Sequence, residues 1–209
     1  MASKCKQVPS LLGSIEFCAG ETVRPGIRPH VYIISKRDIL EWPKRTKLTD
    51  DGATMAKLAS YTGDFKLPAD KKWMKVDLIP NKGSFSAEQQ GEFPSITYLN
   101  KITCTHPGIA EEATGFCQLC ITDHFVMLVP QRNGQYRVFG NEDFDLEMKP
   151  KLESGEGTTG GGTTIEAEVT DICPAPFYPG VIATEDGDIS GSDGTAVKAG
   201  SSKPSGSGH

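Results

Sequence analysis

Hydrophobic residues along this chain occur mostly in short runs that alternate with polar residues, and turn residues separate the runs. The run His30–Ser35 is rich in aromatic and β-branched side chains, and 73–79 alternates as a strand with one solvated face does. Similar runs occur at 14–18, 61–67, 83–89, 95–104, 125–131, 135–139, 144–148 and 164–170. The pattern predicts about ten strands between residues 13 and 178.

One segment, 108–121, has the periodicity of a helix. Its apolar residues recur at spacings of three and four, which puts them on one helical face: Ile109, Ala113, Phe116, Cys117, Cys120 and Ile121. Glu111 and Glu112 lie in the first turn, where the helix dipole favours acids. A shorter helical turn is predicted at 38–42, stopped by Pro43. Together the elements predict a β-rich α+β fold, an antiparallel β-sandwich or barrel with one flanking helix.

Turn and loop residues divide the chain into a main domain, 1–178, and a C-terminal tail, 179–209. Asn133 and Gly134 are the preferred pair for a two-residue hairpin turn, and the glycine-rich run 155–162 predicts a flexible loop. The polar segment 43–58 has no sustained period, which indicates a protruding loop or arm. The tail is rich in Gly, Ser and Asp with almost no large apolar side chains, so we predict that it stays solvated and flexible.

The net charge of −5 conceals an asymmetry along the 209 residues. Residues 1–47 carry nine Lys and Arg against four Asp and Glu, whereas the rest carries 13 against 23. A chain with this excess of acidic residues is a poor candidate for binding the phosphates of nucleic acids. No apolar run approaches the length of a membrane span and no secretory signal is visible, so we expect synthesis in a reducing cytoplasm, with the six cysteines as thiols.

Candidate chemistry is sparse. Cys104, His106, Cys117 and Cys120 form a possible zinc set, since thiolates and imidazole are ligands that zinc prefers. The second pair of cysteines lies on the apolar face of the predicted helix, however, where such residues more often serve as small core side chains. Nucleophile elbows, phosphate loops and zinc-protease motifs are missing from the sequence, so we predict no enzyme, no catalytic residues and no cofactor.

Several segments together resemble one family. Pro25-Gly26-Ile27 leads into Tyr32-Ile33-Ile34 and then Trp42-Pro43, and the hairpin turn at Asn133-Gly134 continues into 136–140. A glycine-rich loop and a threonine-rich strand follow, ending in 173–178. In this order of elements, over about residues 10–180, the chain resembles the major tail tube proteins of tailed bacteriophages, particularly those of Bacteroides-type phages and prophages.

This resemblance implies a virion structural protein. Tail tube subunits are β-sandwiches with a flanking helix; six copies pair their sheets into a ring, and rings stack head to tail through a long loop around a lumen. The genome passes through that lumen without specific binding, and an acidic lumen would help it slide. Implied partners are further copies of the chain and other tail proteins, namely a terminator, a baseplate or connector, and a sheath in contractile tails.

The arm 43–58 is the predicted stacking element, with Trp42, Lys44, Arg45 and Lys47 as its assembly residues. Trp42 is open to two interpretations, an interface anchor or a core side chain. Two other functions stay open at this point. One is the inner tube of a contractile injection system, which has the same fold and a protein cargo. The other is a zinc-stabilised binding module built on Cys104, His106, Cys117 and Cys120.

Overall fold

A computed structural model describes residues 10–16, 20, 22–156 and 159–197. The described residues form thirteen strands and two α-helices. In chain order these are β1 (His30–Ser35), β2 (Lys44–Arg45), α1 (Met55–Leu58), β3 (Tyr61–Thr62), β4 (Met74–Asp77), β5 (Ser84–Gln90), β6 (Thr97–His106), α2 (Glu111–Leu119), β7 (Phe125–Pro130), β8 (Tyr136–Phe139), β9 (Glu147–Glu156), β10 (Thr159–Asp171), β11 (Phe177–Tyr178), β12 (Val181–Thr184) and β13 (Gly187–Ser190). The prediction of a β-rich fold with a flanking helix is confirmed.

Two antiparallel sheets form the body of the domain. The larger sheet has five strands in the order β11-β8-β7-β1-β4, and the smaller has four in the order β5-β6-β10-β9. Every residue of β7 is buried, as its unbroken apolar sequence requires. In β6 and β10, by contrast, inward and outward residues alternate. The larger sheet is therefore covered on both faces, and the smaller sheet on one.

The main core fills the space between the two sheets. Val31, Met127 and Val129 project from the larger sheet, and Ile102 and Ile165 project from the smaller one. All five side chains are at most 1 % exposed. Their burial follows from the alternation of side chains across each strand, which gives each sheet one apolar face directed at the other.

Helix α2 packs on this core less extensively than its periodicity predicts. Phe116 and Cys120 contact the core, and the Phe116 ring lies 5.7 Å from that of Phe125. Ile109 and Ile121 are 41 % and 81 % exposed, so their predicted place on the buried face is wrong. Both residues lie outside the helix, which spans Glu111–Leu119, so they do not continue the apolar face of its central turns.

A second apolar cluster covers the other face of the larger sheet. Trp73, Phe65 and Tyr178 lie at its centre, and the Phe65 ring is within 5.3 Å of both other rings. The hairpin of β12 and β13 closes this layer, because Ile182 is fully buried among the aromatic side chains and the Trp73 backbone N–H donates to Ala183 at 2.9 Å. The domain thus has three layers rather than two.

The predicted flexible tail is wrong over residues 179–197. These residues form β12, β13 and a turn, and Ile182 and Thr184 are buried. The apolar residues of β12 are few, but one of them, Ile182, faces a large aromatic cluster and buries its whole side chain there. The rest of the predicted tail, 198–209, lies outside the described residues.

Smaller elements also differ from the predictions. The helical turn near 38–42 forms as a 3-10 turn at Lys36–Asp38, and Glu41 instead pairs with Lys66. The glycine-rich run 155–162 extends the β9–β10 ladder, with Gly155 opposite Gly160, and its tip at 157–158 lies outside the described residues. Residues 14–16 form no strand, and 17–18 lie outside the described ranges.

The arm 43–58 contains structure of its own. It begins with β2, which pairs with β3 just beyond the arm, and it ends with α1. The Thr54 hydroxyl caps α1 by accepting from the Lys57 N–H at 3.3 Å. Two short elements therefore fix both ends of the arm to the domain.

Candidate assembly surfaces

The residues predicted to mediate assembly come together on one wall of a cleft. Trp42, Lys44, Arg45 and Lys47 all line it, and its volume is about 820 Å³. The rest of the lining comes partly from the arm and β3 and partly from distant segments of the chain: Pro43, Thr46, Leu48, Leu58, Tyr61, 141–143, Ile172 and Cys173. The lining surface of the cleft is mostly apolar; the arm contributes its basic side chains, and the segment 141–143 contributes the acids Glu142 and Asp143.

Strand pairing sets the direction of the basic side chains. In β2 and β3, Lys44 lies opposite Thr62 and Arg45 opposite Tyr61. Successive residues of a strand point to opposite faces, so Arg45 turns inward where Lys44 turns to solvent. The Arg45 guanidinium stacks 4.9 Å from the centre of the Tyr61 ring.

Arg45 forms an ion pair inside its own subunit. Its Nη1 lies 2.7 Å from the Asp171 carboxylate, which is 3 % exposed. The same carboxylate accepts from the Asn141 side-chain amide at 3.1 Å and from the Cys173 backbone N–H at 3.0 Å. Three segments of chain therefore meet at one acid: the arm, the loop at Asn141 and the stretch 171–173. This engagement corrects the prediction that Arg45 is available to another copy. Among the predicted assembly residues, Lys44 and Lys47 are then the exposed cations.

The titratable groups around this ion pair are held in unreactive states. Burial raises the pKa of the Tyr61 phenol and of the Cys173 thiol, in spite of the nearby Arg45 charge. Burial also opposes the charge of Arg45, but its contacts with Tyr61 and Asp171 outweigh that effect and leave its pKa raised. A phenol and a thiol with raised pKa values are poor nucleophiles at neutral pH.

Trp42 combines the two roles that its sequence context left open. Its ring lies 5.3 Å from that of Phe65 in an edge-to-face arrangement, and it packs against the aromatic cluster. The side chain is half-buried, and its remaining surface lines the cleft. Trp42 is therefore a fixed part of the cleft wall.

The outer face of the smaller sheet is a second candidate surface, which we call the open face. Its residues alternate with the core-facing ones, and the strand register brings Ser84, Thr103, Glu166 and Lys149 into one row across all four strands. Its charged residues are five glutamates and three lysines: Glu88, Glu147, Glu153, Glu166, Glu168, Lys101, Lys149 and Lys151. The open face is thus polar, with an excess of acids.

Ion pairs order some of these charges. Lys149 lies 2.9 Å from Glu168 and 3.6 Å from Glu147, and Lys151 lies 2.8 Å from Glu153. These contacts raise the pKa of Lys149 and lower that of Glu168. Glu88, Glu166 and Lys101 form no ion pair within the described part of the chain, and Lys149 is shared by two glutamates, so the open face keeps an excess of negative charge.

The candidate zinc ligands do not converge. Cys104 is fully buried between the sheets, where burial raises the pKa of its thiol to about 12. The His106 ring instead lies with Nδ1 2.7 Å from the Asp77 carbonyl. Burial raises the pKa of Cys120 to about 11, and that side chain packs on the core. In the described ranges no three His, Cys, Asp or Glu side chains are grouped as a metal site would need.

Three important residues were not predicted from the sequence to have a role. Asp171 and Asn141 organise the cleft, yet in sequence one is an acid at a strand end and the other an amide in a turn. Phe93, in the turn between β5 and β6, is 89 % exposed; its segment 91–94 separates two predicted strands, but no functional role was predicted for it. Buried Asp and exposed Phe both reverse the usual preference of their residue type.

Comparison of the chain with protein-family models, with curated proteins and with solved structures finds no match. Within the described ranges, none of the helices has the length and apolar character needed to cross a bilayer.

Proposed function

We propose that this chain is a subunit of a phage tail tube, and so a component of the virion. Copies pair their smaller sheets edge to edge into a ring, and rings stack into a hollow tube that conducts the genome. The observation that carries the proposal is the pair of free edges on the smaller sheet. Among the described strands, β5 is hydrogen-bonded only to β6 and β9 only to β10.

These two edges run in opposite directions, because each of the three strand pairs in the smaller sheet is antiparallel. Rotation about an axis parallel to the strands keeps every strand direction unchanged. It therefore brings β5 of one copy beside β9 of the next as a further antiparallel pair. Repeating this step closes a ring with no free edge, which removes the hazard that exposed edges present.

The sequence of β9 is compatible with this pairing. Pro150 lies opposite Ile165 within the ladder, although proline has no N–H to donate. Its backbone must therefore point away from β10 toward the free edge, as is typical of proline in edge strands. The same alternation directs the N–H groups of Met148 and Leu152 outward. The free edge of β9 thus offers donors on both sides of Pro150.

The open face suits the wall of a DNA conduit. All side chains of the open face project from the same side of the smaller sheet. In a ring of paired sheets, the open faces of all copies therefore point either into the lumen or away from it. Inward, the excess of glutamates repels phosphates and keeps DNA from adhering as it passes. Hydroxyl side chains such as Ser84, Thr103 and Thr164 add a hydrated, neutral lining.

Negative-stain electron microscopy of the full chain across a concentration series tests the proposal. We expect rings or hollow tubes that become more abundant with concentration. A protein that stays monomeric at every concentration, or that forms only flat sheets, would overturn it.

One matched pair of variants tests the edge pairing itself. Leu152→Pro removes an N–H that points to the free edge and spares the hydrogen bonds to β10, so the subunit should fold but no longer assemble. Leu152→Thr keeps the N–H and introduces a β-branched side chain, which strands favour, so this variant should assemble as the parent does. Equal assembly of both variants would exclude β9 from the ring contact.

A further inference from the structure

The turn between β5 and β6 presents a bare aromatic side chain. Phe93 is 89 % exposed at this turn, and Ile96 beside it is 41 % exposed. The Ser95 N–H donates to the Glu92 carbonyl at 2.7 Å, and Gly91 has a φ of +83°, so the turn has a defined shape. We call residues 91–96 the Phe93 turn. It forms an apolar projection with one acid, Glu92, next to its tip.

The cleft described above has a shape and lining that accept such a projection. Its volume of about 820 Å³ lies in the range of pockets that bury a ligand. Apolar side chains at its base and rim are largely uncovered, with Leu48 51 % and Ile172 73 % exposed. Trp42 forms a fixed wall between them and the core.

Both features lie at the same end of the smaller sheet. The Phe93 turn follows Gln90, whose side-chain amide donates to the Thr170 hydroxyl at 3.2 Å, and the cleft residue Ile172 comes two positions after Thr170. The Phe93 turn adjoins the β5 edge. The loop 141–146, which forms another wall of the cleft, leads directly into β9 at the opposite edge.

This arrangement has a consequence for neighbouring copies. In a ring where β5 of one copy pairs with β9 of the next, the two strands lie about 5 Å apart. Rotation keeps the same end of each sheet on the same side of the ring. The Phe93 turn of one copy therefore arrives beside the 141–146 wall of its neighbour's cleft.

Charge favours one orientation of the inserted turn. Lys44 and Lys47 are exposed on the arm, and within the described ranges neither forms an ion pair. Glu142 and Asp143, on the segment 141–143 that also lines the cleft, repel a carboxylate. Glu92 is therefore drawn toward the lysines as Phe93 enters between the walls.

We propose that the Phe93 turn of one copy inserts into the cleft of the adjacent copy in the same ring, with Glu92 facing Lys44 and Lys47. This inference rests on the proposed self-assembly and identifies the occupant of the cleft as a second copy of the chain. It also assigns Trp42, Lys44 and Lys47 to contacts within a ring, where the sequence analysis assigned them to contacts between rings.

Site-specific photo-crosslinking in the full chain provides the test. Benzoylphenylalanine replaces Phe93, and rings or tubes of this variant are irradiated after electron microscopy has verified assembly. We expect crosslinked dimers whose peptides map to 42–48, 141–144 or 172 of the second copy. The same probe at Met74, which is 47 % exposed on β4 of the other sheet, is the matched control and should give no crosslink to the cleft.

Charge reversal provides an independent readout. Glu92→Lys should raise the concentration needed for assembly by about tenfold or more, and so should Lys44→Glu combined with Lys47→Glu. Combining all three changes should restore assembly to within about threefold of the parent, because opposite charges again face each other. Phe93→Ala should impair assembly both by itself and when it is combined with the three charge changes.

The outcomes separate this inference from the proposed function. Rings or tubes whose Phe93 probe crosslinks elsewhere, together with no rescue by charge reversal, would overturn the insertion and leave the tube proposal standing. A parent chain that never assembles would overturn both. Crosslinks to the cleft that form within a single copy would also overturn the insertion, since the turn would then fill its own cleft.

Discussion

The guanidinium of Arg45 lies 2.7 Å from the carboxylate of Asp171, across 126 residues of sequence, and this ion pair joins the arm to the end of the smaller sheet. Asp171 is 3 % exposed, whereas Arg45 is 21 % exposed. The acid therefore depends on its partners for the hydrogen bonds that water no longer provides. The arm is held to the domain by an interaction that is mostly shielded from solvent.

Removing Arg45 should destabilise the fold. Arg45→Ala leaves a buried carboxylate with only the Asn141 and Cys173 donors, so we expect a loss of about 2 kcal/mol in the free energy of unfolding. Urea denaturation followed by tryptophan fluorescence measures it. The matched control is Lys44→Ala, which removes an exposed cation one residue away and should change stability by less than about 0.5 kcal/mol. Equal effects of both variants would contradict the internal role of Arg45.

Charge reversal on the arm should impair assembly without impairing folding. Lys44→Glu combined with Lys47→Glu leaves Arg45 in place, so the subunit should keep the melting temperature of the parent. We expect sedimentation velocity to show a monomer at concentrations where the parent forms rings or tubes. The conservative pair Lys44→Arg and Lys47→Arg retains the charge and should assemble. Tubes formed by the reversed variant would count against an assembly role for these lysines.

The charge of the open face should control the adhesion of DNA. Glu88→Lys combined with Glu166→Lys turns the excess of glutamates into an excess of lysines, at two side chains without ion pairs in the described structure. Assembled tubes of this variant should retain double-stranded DNA in about 50 mM salt and release it by about 200 mM, since the contact is electrostatic. Parent tubes should retain none. If the variant also retains none, the open face does not line the lumen.

The C-terminal hairpin should be essential for stability. Ile182 is fully buried against the aromatic cluster, so Ile182→Ala should cost about 2–4 kcal/mol of unfolding free energy. Deletion of 181–209 should give an aggregating chain, because it uncovers Trp73 and Tyr178. Deletion of 198–209 alone retains the hairpin and is the matched control. An unchanged melting temperature after the longer deletion would show that the third layer is dispensable.

The sequence predicted the strands well where alternation or continuous burial extends over several residues. β1, β7 and the β7–β8 hairpin are examples, because their local pattern and their tertiary environment agree. The predicted two-residue turn at Asn133-Gly134 is wrong in detail: the loop between the hydrogen-bonded residues Gln131 and Gln135 has three residues, and Gly134 has a positive φ but Asn133 does not. The β12–β13 hairpin was missed for the opposite reason. Its composition alone suggests solvation, and only the aromatic cluster contributed by distant residues makes its burial favourable.

The cleft could be predicted in part. The polar composition of the arm and its lack of a hydrophobic period identified it as a protruding segment. The four predicted assembly residues do line one cleft. The other walls come from 141–143 and 172–173, and no local pattern links those segments to the arm. The ion pair between Arg45 and Asp171 depends on the same long-range arrangement, so Arg45 looked like any other surface cation in the sequence.

The three-layer architecture has a consequence for how this protein can diverge. The aromatic cluster and the core between the sheets lie on the two sides of the larger sheet, and both stay intact whatever side chains stand on the open face. The pleat of the strands thus separates the outward positions of the smaller sheet from the residues that pack the interior. Substitutions at these exposed positions can change the charge of the surface one residue at a time, without any change in the packing of the interior.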